Sequence, residues 1–356
     1  MEPVYFAPLK DNAAISEQVS AMKQLLSAAR YEQLIAPHDF VAVKIHVGEK
    51  RNTTHVTPEL VKTVVTESQK HSENVFLTET ATLYKGERSN AVNHLLHAHK
   101  HGFGIERMGA PFIMADGLTG GTEVTVKIDG ELDKAVKIAR EIACADVLVA
   151  VTHATGHMMS GLGACIKNLG MGLASRAGKL RQHSSVHPRI NPEKCTFCQK
   201  CFKWCPEDAI IASGQKAKIL PEKCVGCAEC FTVCRYDAIK YNWGVGSETL
   251  QKRMAEHAYG VVKDKKDRCF YINVLVSMTR DCDCMAVDQP KSIPDIGLLV
   301  SRDPVAIDKA TFDLIGRVNE PGQVKKTFQN LNPLIQIEHA VKIGMGQLEY
   351  ELVEVK

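Results

Sequence analysis

Eight cysteines fall in two runs, "CTFCQKCFKWCPEDAI" from Cys195 and "CVGCAECFTVCRYDAI" from Cys224. Each run has the spacing C-x2-C-x2-C-x3-C, and both end in Asp-Ala-Ile, so the block is an internal repeat. Three cysteines on one tight loop can wrap three corners of a 4Fe–4S cubane, while the fourth, opening a short helix, points at the other cluster. This spacing predicts Cys195, Cys198, Cys201 and Cys234 around one cluster, and Cys224, Cys227, Cys230 and Cys205 around the other. Zinc, which favours two separated C-x2-C knuckles, does not call for a twice-repeated four-cysteine run. Cys205 is followed by the usual proline, whereas Cys234 is followed by Arg235, which places a positive charge near one cluster.

A second set of reactive residues lies outside the repeats. "HATGHMMSGLGACIKNLGMG", from His153 to Gly172, carries two histidines, a cysteine, a lysine and five glycines. Glycines let backbone approach a ligand closely, and Gly156 and Gly161 argue against one helix that would present His153 and His157 together to a metal. "RDCDC" adds Cys282 and Cys284, too close together for a normal disulfide, with either a metal or redox role or plain burial as readings. His153, His157, Lys167, Cys282 and Cys284 form the candidate catalytic set. Lys44, His46, Lys85, Arg88, Asn168 and Asp303 form the candidate ligand-binding set, for a third metal or a small anionic ligand. The basic residues among them also read as ordinary surface charges.

These residues share one feature: each group follows or ends a strand-like run. "FVAVKIHV" (Phe40–Val47), "NVFLTET", "DVLVAVTH", "CFYINVLVSMT" and "DIGLLVS" are apolar and β-branched. Between them lie helical segments: Ile15 to Ile35, a helix capped by Thr57 with Pro58 in its first turn, Asn90 to His101, Leu132 to Ala145, and Pro304 to Ile315. "TEVTVKID" alternates with period two, and a last helix, Pro333 to Ile343, precedes a terminal strand, "YELVEV". Strands alternating with helices predict an α/β fold, a mostly parallel sheet with helices on both faces. In such a sheet the carboxyl ends of the strands share one rim, where ligands bind. The cysteine block interrupts this pattern, so residues 1–188 and 243–356 read as two parts of one α/β domain. Residues 189–242 read as an inserted ferredoxin-like α+β domain with two 4Fe–4S clusters.

Four stretches carry a resemblance: "VAVKIHVGEKRN", "LYKGERSNAVNHLLHAHKHGF", "THATGHMMSGLGACIKNLGMGLASRAGKLRQH" and "PDIGLLVSRDPVAIDKATFDLI". They are similar to the family catalogued as domain of unknown function 362, whose members often carry a ferredoxin insert. The cysteine block itself resembles a bacterial two-cluster ferredoxin. The resemblance implies the α/β fold and the clusters, and places His153, Gly156, His157, Gly161, Lys167 and Asn168 in the family's core motif. It implies no substrate and no catalytic residue.

Bulk composition narrows the function. The chain has 356 residues, 45% hydrophobic and 24% charged, an ordinary globular balance. The formal charge of +3 is not a nucleic-acid signal. Two clusters, each about −2 when oxidised, turn it to about −1, and aromatics are only 6%. No apolar run has the length of a membrane span. The first residues lack an export signal, which leads to the expectation of a cytoplasmic protein. No Walker loop or strand-following GxGxxG is present, so ATP or nicotinamide binding is not indicated. The first functional expectation is an iron–sulfur redox protein passing single electrons between the clusters and the rim, with a ferredoxin, flavodoxin or enzyme as redox partner; whether it is an oxidoreductase in its own right stays open. The alternatives are an electron-transfer module whose α/β part docks a protein, and a non-redox enzyme or metal-insertion factor with structural clusters.

Overall fold

The computed structural model describes residues 1–84, 86–183, 188–205, 207–224, 229–240, 246–318, 328 and 330–355. Lys85 and Cys227 therefore lie outside the described residues.

Eight strands form the central sheet, in the order Tyr350–Glu354, Glu2–Pro8, Gly297–Ser301, Cys269–Leu275, Val147–His153, Val41–Lys44, Val75–Glu79, Phe112–Met114. All run in one direction except Gly297–Ser301, which is antiparallel to both neighbours. The four inner strands flanking the site are buried along their whole length, which is why they read as continuous apolar runs rather than alternating ones. Two apolar clusters cover the two faces of the sheet. One face packs against the helices Cys165–Gly170, Ser247–Val262 and Pro304–Val318, and the other against Ile15–Ala28 and Pro58–Gln69. Among the described residues no helix is long and apolar enough to cross a membrane.

Several local expectations are corrected. The segment expected to be one helix from Leu132 to Ala145 holds a strand, Ala135–Ala139, and a short helix, Arg140–Cys144. The strand pairs with Glu123–Lys127 in a hairpin outside the main sheet, where β-pairing overrides local helix propensity. Thr57 is extended as an N-cap should be, but its hydroxyl makes no capping bond. Asn90 does cap its helix, accepting from the Asn93 amide at 3.1 Å.

Residues 189–240 have their own small core of Cys195, Ile210, Ala217, Ile219, Cys230, Ala238 and Ile239. The first strand of this block, Arg189–Ile190, pairs antiparallel with its last, Ile239–Lys240, so its two ends leave side by side. Asp208 and Asp237, equivalent in the two repeats, both adopt a left-handed conformation (φ 46° and 54°), which aspartate tolerates better than most residues. The block meets the α/β part where Phe231 packs on Leu83, Ala177 and Leu180, with the Arg176 guanidinium 5.0 Å from the Phe231 ring centroid.

Candidate functional site

The parallel strand ends surround a cavity of about 590 Å³. His46, Glu79 and His153 reach it from three strand ends, His157 and Lys167 from the Gly-rich stretch, and Cys282 to Cys284 from the segment after Cys269–Leu275. Leu83, Lys179 and His183 line the side toward the cysteine block.

The Gly-rich stretch is built for close approach. Thr155–His157 and Gly161–Gly163 form a tight hairpin, with Gly161 left-handed at φ 74°. The helix Cys165–Gly170 then starts against Asp308, whose carboxylate accepts from the backbone amides of Cys165 and Ile166, both at 2.8 Å. Asn273 donates to the same carboxylate at 2.9 Å. Asp308 thus fixes the helix that carries Lys167 and Asn168. Gly170 lets this helix touch its neighbour: a Cβ there would sit 2.0 Å from the Met254 carbonyl oxygen.

Lys167 Nζ donates to Cys282 Sγ at 2.9 Å, and the Cys284 amide donates to the same sulfur at 3.3 Å. A hydrogen bond from Cys284 and the Lys167 charge hold the Cys282 thiol below the usual thiol range, against burial and Asp283. Cys284 is pushed the other way, by the same contact and by burial. Burial opposes the Lys167 charge, yet the neighbouring sulfurs raise its pKa above the ordinary lysine value.

Neither histidine offers a nitrogen lone pair for a metal, so joint ligation by His153 and His157 does not fit. His153 Nε2 donates to the Val276 carbonyl at 2.9 Å, and its Nδ1 faces Asp283 Oδ2 at 2.8 Å. With both ring nitrogens on acceptors, His153 is an imidazolium paired with a carboxylate. Its pKa is raised by Asp283 although burial alone would lower it, and Asp283 is correspondingly held below the usual carboxylate range. His157 Nδ1 accepts from the backbone amides of Ser160 at 3.1 Å and Met159 at 3.3 Å, while the Ser160 hydroxyl donates to the Leu162 carbonyl at 2.9 Å. Burial and Lys167 keep this ring neutral, which leaves its proton on Nε2. Among the described residues no group of three or more His, Cys, Asp or Glu side chains is arranged to hold a metal ion.

The ligand-binding set divides. His46 and Asn168 line the cavity. Lys44 stands behind it, donating to Asn168 Oδ1 at 2.7 Å, with burial lowering its pKa to about 7. Arg88 lines the cavity, but its guanidinium is already engaged with Glu49 and Glu79, each at 2.9 Å, and with the Tyr84 hydroxyl at 2.6 Å. It braces the wall. Asp303 does not belong here: the reversed strand Gly297–Ser301 places its end on the opposite edge of the sheet. There Asp303 caps the helix Pro304–Val318, accepting from the amides of Val305 and Ala306 at 2.7 and 2.9 Å.

Composition and spacing did not single out Glu79, Lys179 or Asp283. Glu79 binds Arg88 and His94, each at 2.9 Å. Lys179 donates to the Thr80 hydroxyl and to the Ala81 carbonyl at 2.7 Å. Burial lowers the Lys179 pKa to about 8. The sequence signal for Glu79 is a carboxylate closing a short, buried strand that is mostly apolar.

In the cysteine block, Cys195, Cys198, Cys201 and Cys234 line one small void with Phe197, Ala238 and Ile239. Backbone amides point at two of the sulfurs in the block: Ala217 at Cys195 Sγ (3.4 Å) and Ala209 at Cys205 Sγ (3.2 Å).

Fold and site together define an α/β protein with a strand-end cavity and a small cysteine-rich block beside it. The chain belongs to the family described as "Domain of unknown function (DUF362)", which matches residues 41–313. A search of curated proteins found no match. Among solved structures, the chain is similar to the lactate racemase apoprotein from Thermoanaerobacterium thermosaccharolyticum, at 11% identity and a TM-score of 0.46. That match covers 88% of this chain and 57% of the other. A protein from Thermotoga maritima matches at 8% identity and a TM-score of 0.42, over 94% of this chain and 61% of the other. The chain thus spans less than two thirds of the length of either neighbour.

Proposed function

We propose that this is an iron–sulfur redox protein in which two 4Fe–4S clusters serve a ligand held in the strand-end cavity. The observation that carries the reading is the void lined by Cys195, Cys198, Cys201 and, from the other repeat, Cys234. A cubane takes one thiolate per iron, so its ligands surround a volume rather than converge on a point as they do for a single ion. Amides directed at Cys195 and Cys205 suit sulfurs that carry negative charge. Cys205, Cys224 and Cys230, with Cys227, would hold the second cluster. When bound, the clusters would supply single-electron transfer.

The chain's own residues then have distinct tasks. Phe231, next to Cys230, packs on Leu83 and Leu180, and Leu83 is also a cavity wall. The two sites therefore share a packed boundary. Lys167 and Lys179 bring positive charge to the cavity, His157 offers an N–H, and Arg88 with Glu79 braces the wall. A volume of about 590 Å³ suits a small molecule rather than a peptide segment. A ferredoxin, flavodoxin or enzyme would exchange electrons at the outer cluster.

The reading is tested by reducing anaerobically purified protein with dithionite and recording its electron paramagnetic resonance spectrum. Two magnetically interacting cluster signals are expected. A fully reconstituted, reduced chain with no cluster signal overturns the proposal.

A further inference from the structure

We infer that Cys282 and Cys284 form a thiol–disulfide exchange centre, with Cys282 as nucleophile and Cys284 as resolving thiol, acting on a small-molecule disulfide in the cavity. The electron source for its turnover rests on the function proposed above; the exchange itself does not.

In an extended strand a Cys-x-Cys pair points to opposite faces and does not close a disulfide. Here the pair is not extended. The Met285 amide donates to the Cys282 carbonyl at 2.9 Å, so Cys282 to Met285 form one turn. Both cysteines line the same cavity. The turn sets the Cys284 amide 3.3 Å from Cys282 Sγ and turns both side chains to one wall, an arrangement that spacing alone does not announce.

The contacts also divide the roles. Lys167 Nζ and the Cys284 amide both donate to Cys282 Sγ, at 2.9 and 3.3 Å. A sulfur with a cation and an N–H aimed at it is the stable thiolate of the pair, and the thiolate is the nucleophile. Among the described residues no such donor reaches Cys284 Sγ, and Cys284 stays protonated. Cys282 is only 5% exposed and is reached through the cavity, which favours a small-molecule disulfide as substrate. Met158, Met159, Met171 and Met254 supply apolar wall, and Lys179 supplies charge that no thiolate matches, so the disulfide carries an apolar part and an acidic group. A thiolate alone would serve many electrophiles. A second thiol on the same cavity wall, two residues away, has a use when the bond formed is to sulfur.

The steps balance. The Cys282 thiolate attacks one sulfur of R–S–S–R′, forming the Cys282–S–R mixed disulfide and expelling R′–S⁻. Cys284 then attacks Cys282 Sγ, forming the Cys282–Cys284 disulfide. R leaves with the Cys284 proton as R–SH. Two electrons from a low-potential one-electron donor and one proton restore the thiolate and the thiol.

Trypsin cuts after Arg280 and Lys291, so one peptide carries both cysteines. Anaerobic holoprotein is treated with hydroxyethyl disulfide, quenched in acid and mapped by mass. In the wild type this peptide should lose two hydrogens and retain no adduct. In Cys284→Ser it should hold one hydroxyethylthio group on Cys282, and in Cys282→Ser neither change should occur. Alkylation of Cys282 by iodoacetamide should have a pH midpoint that rises in Lys167→Gln, slowing the reaction about tenfold near neutrality. Lys167→Arg, which keeps the charge, should restore it. A wild-type peptide that stays a dithiol, or a folded Cys284→Ser that traps no adduct, overturns the inference. Iron is measured on the same samples. Iron present with an unreacted peptide refutes the exchange centre alone, and a reacting peptide in a chain that binds no iron refutes the cluster reading alone.

Discussion

At the scale of single residues, the site is a set of charges that neutralise one another before any ligand arrives. Arg88 is matched by Glu49 and Glu79, His153 by Asp283, and Lys167 by Cys282. Sequence could show that such residues are near strand ends, but not which would pair, because every pair except Arg88–Glu79 joins residues 39 to 130 positions apart. The cysteines of the repeats are legible for the opposite reason: their spacing is local. The His153–Asp283 pair carries a pH signature. Because the folded pKa of His153 is raised, its stabilisation is complete below the unfolded value of about 6.5 and is lost as pH rises through the folded value. Asp283, held low, contributes above an unfolded pKa of about 3.9. Asp283→Asn strands a buried cation and should cost about 3 kcal/mol near pH 5.5. Thermal melts across pH check this: the gap between wild type and variant should narrow as pH rises, and a gap independent of pH would contradict the pairing.

At the scale of elements, strand direction is what the sequence hides most effectively. "DIGLLVS" reads like the other buried strands, yet it runs backward, and this removes Asp303 from the rim. Apolar runs establish that a strand exists; its direction depends on the connection, here Val276–Ile296, which leads directly into an antiparallel neighbour. The segment from Leu132 to Ala145 shows the same limit, since hairpin pairing decides between helix and strand. Helix packing supplies a second test. The helices Cys165–Gly170 and Ser247–Val262 meet with no room at Gly170, where an added Cβ would lie 2.0 Å from the Met254 carbonyl and 3.2 Å from the Ala258 nitrogen. Gly170→Ala should therefore cost about 2 kcal/mol or more, seen as a lowered melting temperature. Because Leu250 and Met254 line the cavity, ligand binding should weaken in the same variant. Full stability in Gly170→Ala would show that the helices separate freely.

At the scale of the whole molecule, the α/β fold is legible from alternating apolar runs, and the cysteine block from its repeat. The boundary between them is not: it depends on Phe231 meeting Leu83 and Leu180, which no local pattern announces. We propose that residues 189–242 are an insertion. The antiparallel pairing of Arg189–Ile190 with Ile239–Lys240 brings the ends together, so a short Gly/Ser linker can replace the block at small entropic cost. The remainder should stay folded by circular dichroism, and a remainder that melts without cooperativity would show one shared core. The central claim is that the two cysteine runs hold two clusters, and the measurement that tests it most directly is iron and acid-labile sulfide per chain, in wild type and in Cys234→Ser. About eight of each are expected in the anaerobic wild type. Cys234→Ser should lose the cluster held by Cys195, Cys198 and Cys201, leaving about four. Four iron or fewer in reconstituted wild type with stoichiometric zinc, or loss of the cluster at Cys224 and Cys230 instead, would contradict it.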